Sequence, residues 1–388
     1  MKHALKSLSL VSVITIGAAA AIIATGAPGN GTEQHDSGTR HATTEARTGT
    51  EATDPRRINV AVARGLEWLT RNQDPKTGGW VQDVGYKRGD SYVRTAVGKP
   101  HVGVSALALM AYLSGGHLPG RGKYGSIVEK GVDYVLSCVD PNLGFITGHD
   151  TRMYSHAFAT LFLAEIYGMT HRADVKEKLQ LAIDLIVKSQ NQLGSWRYRP
   201  HSDKADMSIT VCQIMALRAA RNVGIRVPKT TIDRAMEYVE RSAYRDRRRS
   251  SYGGFKYKLE PSSRTTFALT SAGIAALNHA GVYDSDLIRA GVGYLKAQMP
   301  RFNRRHWRHY YYFYGHYYAS QVFFLCSDGR NSRELWNWYW PRISEDLLTH
   351  QQQDGSWANT TGPGPAFSTA VACVILQIPN EYLPIFHR

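Results

Sequence analysis

The chain has 388 residues, 43% hydrophobic and 20% charged, a composition that excludes collagen-like, wholly disordered and multi-span membrane proteins. Its length is enough for a sizeable core, in one large domain or two to three small ones. Lys and Arg (47) exceed Asp and Glu (32) by 15, and Tyr (22) is twice as frequent as Phe (11). That balance points to an anionic or ring-bearing partner, or to a charged surface over an aromatic core.

Residues 1–27 read as a signal peptide or, if uncleaved, an N-terminal membrane anchor. Lys2, His3 and Lys6 form a basic start, and Ser7 to Thr25 carries no charge. Leu8, Leu10, Val11, Val13, Ile14 and Ile16 open an apolar run whose length lies between those of signal peptides and spanning helices. The small residues Ala24-Thr25-Gly26-Ala27 suit cleavage. The expected location is therefore exported, in the periplasm or outside the cell, or anchored to a membrane by this segment. Residues 28–56 hold almost no large apolar side chain, so burial cannot offset their ordering entropy, and they read as a disordered linker. The folded domain spans 57–388.

From there the chain repeats one unit: an amphipathic helix, a turn with glycine and an aromatic, then an apolar helix rich in small residues. The first helices are expected at Ile58–Arg71, Ile127–Cys138, Val175–Ser189, Thr231–Ser242, Leu287–Gln298 and Leu335–His350. The second are expected at Val102–Leu113, Ser155–Tyr167, Met207–Asn222, Thr265–His279, Tyr317–Leu325 and Phe367–Ile378. A period of about 55 residues signals a repeat architecture. No alternating strand pattern competes, so the expected class is all-α. Helices that are apolar all round are buried on all sides, so the second set should form an inner layer. An open solenoid needs polar end caps. Here the last repeat ends instead in Ile378, Tyr382, Leu383 and Phe386, which favours a closed (α/α)6 toroid of six helix pairs.

Three turns are stricter: Gln73 precedes Gly78-x-Trp80, Gln190 precedes Gly194-x-Trp196, and Gln351 precedes Gly355-x-Trp357. Gln should cap free helix carbonyls, Gly should supply positive φ, and Trp should cover the next pair. Gly144-Phe145 and Gly253-Gly254-Phe255 are looser versions, and the fifth turn has Arg304-Arg305-His306-Trp307 instead. The four cysteines, Cys138, Cys212, Cys326 and Cys373, are widely spaced in apolar stretches. They read as buried small hydrophobes, although an even count in an exported chain permits disulfides.

The Gln–Gly–Trp turns resemble the QW motif of the squalene/oxidosqualene cyclase and protein prenyltransferase superfamily, over about residues 57–388. The segments Tyr154–Gly168 and Asp206–Leu217 are similar to exported planctomycete-type prenyltransferase and squalene oxidase repeat proteins, a subgroup that carries over no activity. The resemblance implies a site where the N-termini of the inner helices converge. Class II terpene cyclases place Asp-x-Asp-Asp there, and its middle Asp protonates an alkene or epoxide. The equivalent stretch is Asp203-Lys204-Ala205-Asp206, so Ala205 stands where the proton donor belongs, and Lys204 favours the charged form of Asp203. Asp206 suits an N-cap for the helix starting at Met207, or a non-standard acid. Prenyltransferases hold zinc with Asp, Cys and His. Only Phe313-Tyr-Gly-His316-Tyr-Tyr318 loosely resembles that pattern, and Ser263-Arg264-Thr265-Thr266-Phe267 lacks the Asp-x-Cys. No metal and no cofactor is expected. The Cys–Gln turn of thioester-containing toroids has no counterpart either.

The catalytic candidates near inner-helix starts are Asp206, Asp203 and His156. The ligand-binding candidates are Tyr154, Arg197, Tyr198, Arg264, His316 and Tyr317, with His101 and Ser368 beside them. Arg241, Arg245, Arg247, Arg248 and Arg249 in the fourth turn and Arg301, Arg304, Arg305 and Arg308 in the fifth make nine basic residues. The fifth turn runs on into Tyr310, Tyr311, Tyr312, Phe313, Tyr314, Tyr317 and Tyr318. If the two turns share a rim, that rim is a positive field for anionic partners. Export argues against nucleic acid. These residues together predict an exported, non-catalytic binding or scaffold ring with a basic rim. An enzyme on isoprenoid-like hydrophobic substrates with a non-standard acid is one alternative. A polysaccharide-acting (α/α)6 enzyme is another, by fold analogy. The expected partner is an anionic or hydrophobic ligand, with membrane contact only through the N-terminal segment. The sequence sets no oligomeric state.

Overall fold

Twelve α-helices occur among the residues that the computed structural model describes, which are 53–88, 91–304, 311–326, 333–360 and 362–387. The signal or anchor segment and the linker up to residue 52 lie outside them, as do Arg305, His306, Trp307, Arg308 and Tyr310. The amphipathic helices are α1 (Pro55–Arg71), α3 (Gly125–Ser137), α5 (Ala173–Lys188), α7 (Lys229–Arg241), α9 (Asp286–Asn303) and α11 (Glu334–His350). The apolar ones are α2 (Val102–Leu113), α4 (Met153–Thr170), α6 (Met207–Asn222), α8 (Phe267–His279), α10 (Tyr312–Leu325) and α12 (Pro365–Gln377).

Composition sorts these helices into two layers. In α7 only Thr231, Ala235, Tyr238 and Val239 are buried, a single stripe, and the charged faces meet water. In α2 and α8 every residue is buried. Each inner helix packs on the next, α2 on α4, α4 on α6, α6 on α8, α8 on α10 and α10 on α12. Helix α12 then packs on α2 and α1. The ring is therefore closed, and the fold is an (α/α)6 toroid. No helix among the described residues is long and apolar enough to cross a membrane.

The turn residues divide their work differently from the expectation. Each Trp indole donates to a carbonyl in the last turn of its own outer helix: Trp80 to Leu69, Trp196 to Ile186 and Trp357 to Leu347, all at 2.8 Å. The glutamines reach outward instead. Gln73 Nε2 donates to Gly78 O (2.8 Å) and to Ile127 O of α3 (2.9 Å). Gln190 Nε2 donates to Gly194 O (3.0 Å) and Thr231 O of α7 (2.8 Å). Gln351 Nε2 donates to Gly355 O (2.9 Å) and Ala61 O of α1 (2.8 Å), joining the sixth repeat to the first. The glycines beside them have positive φ, and a Cβ on Gly78, Gly194 or Gly355 would lie 2.4, 2.1 or 2.5 Å from a carbonyl oxygen of the next outer helix.

The fifth repeat lacks this turn. Helix α9 continues through Pro300 to Asn303, and a partly buried polar network fastens it to α11. Tyr312 Oη donates to Asp346 Oδ2 (2.5 Å), and Asn303 Oδ1 and Tyr339 Oη bond the two ring nitrogens of His316, each at 2.9 Å.

One element departs from the all-α expectation. Strands β1 (Val81–Arg88) and β2 (Ser91–Pro100) form an antiparallel hairpin between α1 and α2, paired from Val81↔Pro100 to Arg88↔Ser91 with register shifts between Gln82 and Val84 and between Val84 and Gly85. Of the strand residues whose burial is described, only Val84 and Pro100 are buried, so no clean alternation marks them in the sequence. All four cysteines are free thiols, with Cys138 half-buried and the others buried.

The far end of the ring is closed by the C-terminal tail, where Leu383, Ile385 and Phe386 are buried. Arg218 donates to His387 O (2.7 Å) and Asn278 O (2.9 Å). Glu165 of α4 is buried beneath the tail, and Oε2 has no hydrogen-bond partner. Burial pushes its carboxyl up to about 8, against the opposing pull of the Ile385 amide and Arg218.

Two predictions follow from these packing constraints. Gly355→Ala loses the permitted φ and meets Arg64 O, so urea denaturation will show a loss of about 2 kcal/mol or more. Gly293→Ala, with open space around its Cβ in helix α9, will instead be neutral or gain about 0.5–1 kcal/mol. Equal effects at the two sites would refute the close-approach account. For Glu165 the folded pKa lies above the unfolded value of 4.5. Its contribution is therefore complete below 4.5 and is lost as pH rises to about 8. Glu165→Gln will gain on the wild type across that window, and a stability gap that stays constant with pH would contradict this.

Candidate functional site

The turns that join outer to inner helices all lie at the end of the ring where the inner helices begin. Positive partial charge from helix N-termini gathers there. Asp206 is fully buried at this end and N-caps α6. Its Oδ1 accepts from Ser208 N (2.8 Å) and Ser208 Oγ (2.5 Å), and its Oδ2 accepts from Arg197 Nη1 (3.2 Å). These contacts are all of the kind a carboxylate receives. Asp203 and Lys204 are exposed, and Ala205 is buried.

Three candidates fall inside the walls rather than at an opening. His156 is wholly buried, accepts from Ile146 N at Nδ1 (3.1 Å) and bonds Ala182 O through Nε2 (3.2 Å). His316 is held by Tyr339 and Asn303 as described. Burial pushes both imidazoles down to about 3. With both ring nitrogens bonded, His316 does not fit a zinc site, and no group of three or more His, Cys, Asp or Glu that could hold a metal occurs among the described residues. Tyr317 is buried with an unpartnered hydroxyl, edge-on to Phe158 at 5.8 Å. Ser368 is also buried, bonded to Trp357 O (2.5 Å).

Tyr154, Tyr198, Arg264 and His101 line a cavity of about 230 Å³ at the ring mouth, with Arg197 behind its wall. Seven tyrosines line it: Tyr86 and Tyr92 from the hairpin, Tyr154 from α4, Tyr198 and Tyr257 from two turns, and Tyr311 and Tyr314 at α10. Phe158, Leu107, Val104 and Leu269 form apolar wall, and His101, Arg152 and Arg264 add polar groups. No carboxylate lines the cavity among the described residues. His101 N-caps α2, accepting from Val104 N through Nδ1 (3.3 Å), and burial pushes it down to about 4.

Local chain geometry sets the tyrosines. Tyr198 and Tyr257 each lie two residues past the aromatic of their turn, Trp196 and Phe255. Their carbonyls accept from the first amides of the preceding inner helices, Met153 and Met207, both at 3.0 Å. Their hydroxyls meet at 2.6 Å. Burial raises Tyr198 to about 12, with the charge of Asp206 adding to it, and Tyr154 and Tyr314 are raised well above the ordinary phenol range by burial. Tyr154, Tyr198 and Tyr314 thus stay uncharged at neutral pH. Arginines stack on the rings: Arg152 on Tyr86 (4.4 Å), Arg197 on Tyr198 (4.6 Å) and Arg264 on Tyr257 (4.6 Å), each measured to the ring centroid. The sequence reading missed Tyr257, Arg152, Tyr86 and Tyr92. The aromatic-x-Tyr pattern shared by Trp196-Arg197-Tyr198 and Phe255-Lys256-Tyr257 marks the first of these. On the same face, Arg245, Arg247, Arg248 and Arg249 of the fourth turn are exposed.

Comparison with solved structures places this ring among known folds. Cellobiose 2-epimerase from Bacillus thermoamylovorans aligns over 83% of this chain and 99% of its own, with 11% identity and a TM-score of 0.57. The type II terpene cyclase MstE from Scytonema aligns over 85% of this chain and 100% of its own, with 12% identity and a TM-score of 0.53. A D-mannose isomerase aligns over 83% and 97%, with 12% identity and a TM-score of 0.56. The chain shares their (α/α)6 toroid. No protein-family model and no curated protein matches it.

Three buried histidines and the half-buried His101 dominate the acid response. His101 is lowered to about 4, and His156, His279 and His316 to about 3, each chiefly by burial. Their folded values lie below the unfolded 6.5, so their stabilisation is complete above 6.5 and is lost as pH falls toward 3. Denaturation midpoints will drop steeply between pH 6.5 and about pH 4, because four histidines outweigh the opposite trend of Glu165. A midpoint that holds level over that interval would count against neutral, buried imidazoles.

Proposed function

We propose that the protein binds an apolar, isoprenoid-like ligand in the tyrosine-walled cavity, as an exported binding or scaffold ring that does not cyclise it. The observation that carries this reading is the absence of any carboxylate from the described cavity wall. An acid that initiates cyclisation must be neutral and aimed at the ligand's double bond. Asp206 is spent on its own helix and on Arg197. Polysaccharide cleavage needs two carboxyl groups across one bond, and the cavity wall offers none. Phenol faces and apolar side chains suit an unsaturated or branched hydrocarbon body. The MstE structure in complex with geranylgeranyl dihydroxybenzoate uses the same ring fold. The exposed arginines of the fourth turn form a basic rim that draws anionic partners to this face.

Isothermal titration with farnesol tests the reading. The expected result is saturable binding in the micromolar range, with the farnesol recovered unchanged. Asp206→Asn will keep the cap but lose the ion pair to Arg197, lowering stability by roughly 2–4 kcal/mol while farnesol still binds. Appearance of a cyclised product that depends on Asp206, or no farnesol binding at all, would refute the proposal.

A further inference from the structure

The arginines around the mouth differ in one respect. Arg152 pairs with Asp150 (3.8 Å), Arg197 with Asp206 (3.2 Å), Arg199 with Asp150 (3.0 Å) and Arg94 with Asp83 (2.7 Å). Arg264 lines the cavity and has no carboxylate partner among the described residues. Its nearest acid in sequence, Glu260, is engaged by Lys258 at 3.5 Å. The guanidinium lies over Tyr257 (4.6 Å to the ring centroid) and faces Tyr311 (6.0 Å), so two phenol rings fix it in place. Its backbone is fixed as well, because Arg264 O accepts from Tyr257 N at 3.0 Å. It sits two residues before Thr266, the N-cap of α8, so the positive end of a thirteen-residue helix reinforces its charge.

We infer that Arg264 is the specificity-determining residue of this cavity, and that its ligand is an amphiphile ending in an oxyanion, with that anion on Arg264 and the apolar body against the tyrosines. This rests on the binding reading above and narrows it. The argument is one of charge and position. A guanidinium held between aromatic faces is preorganised, so it loses little freedom when a carboxylate or phosphate docks. Arg264 is an exposed residue that nevertheless lines the cavity, so the anion sits at the water boundary while the hydrocarbon goes inward. Deeper in the wall an anion would meet phenols, apolar side chains and Arg152, which already has Asp150 beside it. At Arg94, Arg152, Arg197 and Arg199 it would have to displace a carboxylate already in place, and the arginines of the fourth turn do not line the cavity.

The test compares farnesoic acid, farnesyl phosphate and farnesol by calorimetric titration, at pH 7 and low salt. The wild type will bind at least one of the two anions about tenfold more tightly than farnesol, a preference that shrinks as salt is added. The arm with the larger preference tells whether the oxyanion is a carboxylate or a phosphate. In Arg264→Gln the ratio of anion to farnesol affinity will fall to about twofold or less, and Arg264→Lys will restore part of it. Arg199→Gln, at an exposed and paired arginine outside the cavity, will keep the wild-type ratio. Farnesol binding by the Arg264→Gln protein reports that its cavity is folded. Farnesol bound with no preference for either anion would overturn this inference and leave the binding reading standing. A preference that survives Arg264→Gln would overturn it too. Failure of all three probes would overturn both.

Discussion

A side-chain amide of one repeat bonded to a backbone carbonyl of the next is the contact on which the ring depends. Gln73, Gln190 and Gln351 each make it, and each has a glycine beside it that lets the two backbones touch. The carbonyls they use sit in the opening turns of outer helices, and the indoles of Trp80, Trp196 and Trp357 take carbonyls at the closing turns. Both kinds of bond come from side chains in the turns that lead into the inner helices. They hold the starts of the inner helices in register, and the cavity is built from the residues at those starts. Where the motif is missing, between α9 and α10, the Asn303–His316–Asp346 network performs the same fastening with partly buried polar side chains. The histidine that looked like a ligand-binding candidate belongs to that fastening.

Much of the fold could be read from the sequence because the two layers have different composition. Helices α2 and α6 begin and end where the pattern put them, since His101 and Asp206 mark their first turns as caps. Helix α10 begins at Tyr312 rather than Tyr317, because an unbroken aromatic run carries no capping residue to announce its start. The hairpin escaped because its strands are mostly half-exposed and short of alternation. The dipeptide Gly89-Asp90 in the sequence was the available signal.

The site was legible only in outline. Nearness to an inner-helix start picks out the right end of the ring but not the side of the helix on which a residue falls. Tyr154, Tyr198 and Arg264 stand on the cavity wall, whereas His156, His316 and Tyr317 face neighbouring elements. Arg197 sits behind the wall, joining Asp206 to the tyrosine pair. Among the described residues the cavity wall thus presents phenols and no carboxylate. The excess of tyrosine over phenylalanine has its structural counterpart here, since seven of the 22 tyrosines line one cavity.

The bond from Gln351 to Ala61 has a further consequence. It is the same joint that links repeats inside the chain, yet here it spans the two ends of the domain. Every joint must therefore turn the path by close to one sixth of a circle, or the last would not meet the first. The number of repeats is then a property of the angle built into each joint rather than of chain length. Duplicating or deleting one helix pair would leave the remaining joints facing the wrong total rotation. The error would appear at whichever seam is weakest, and the fifth, which has no glycine turn to absorb a mismatch, is the natural place for the circle to open.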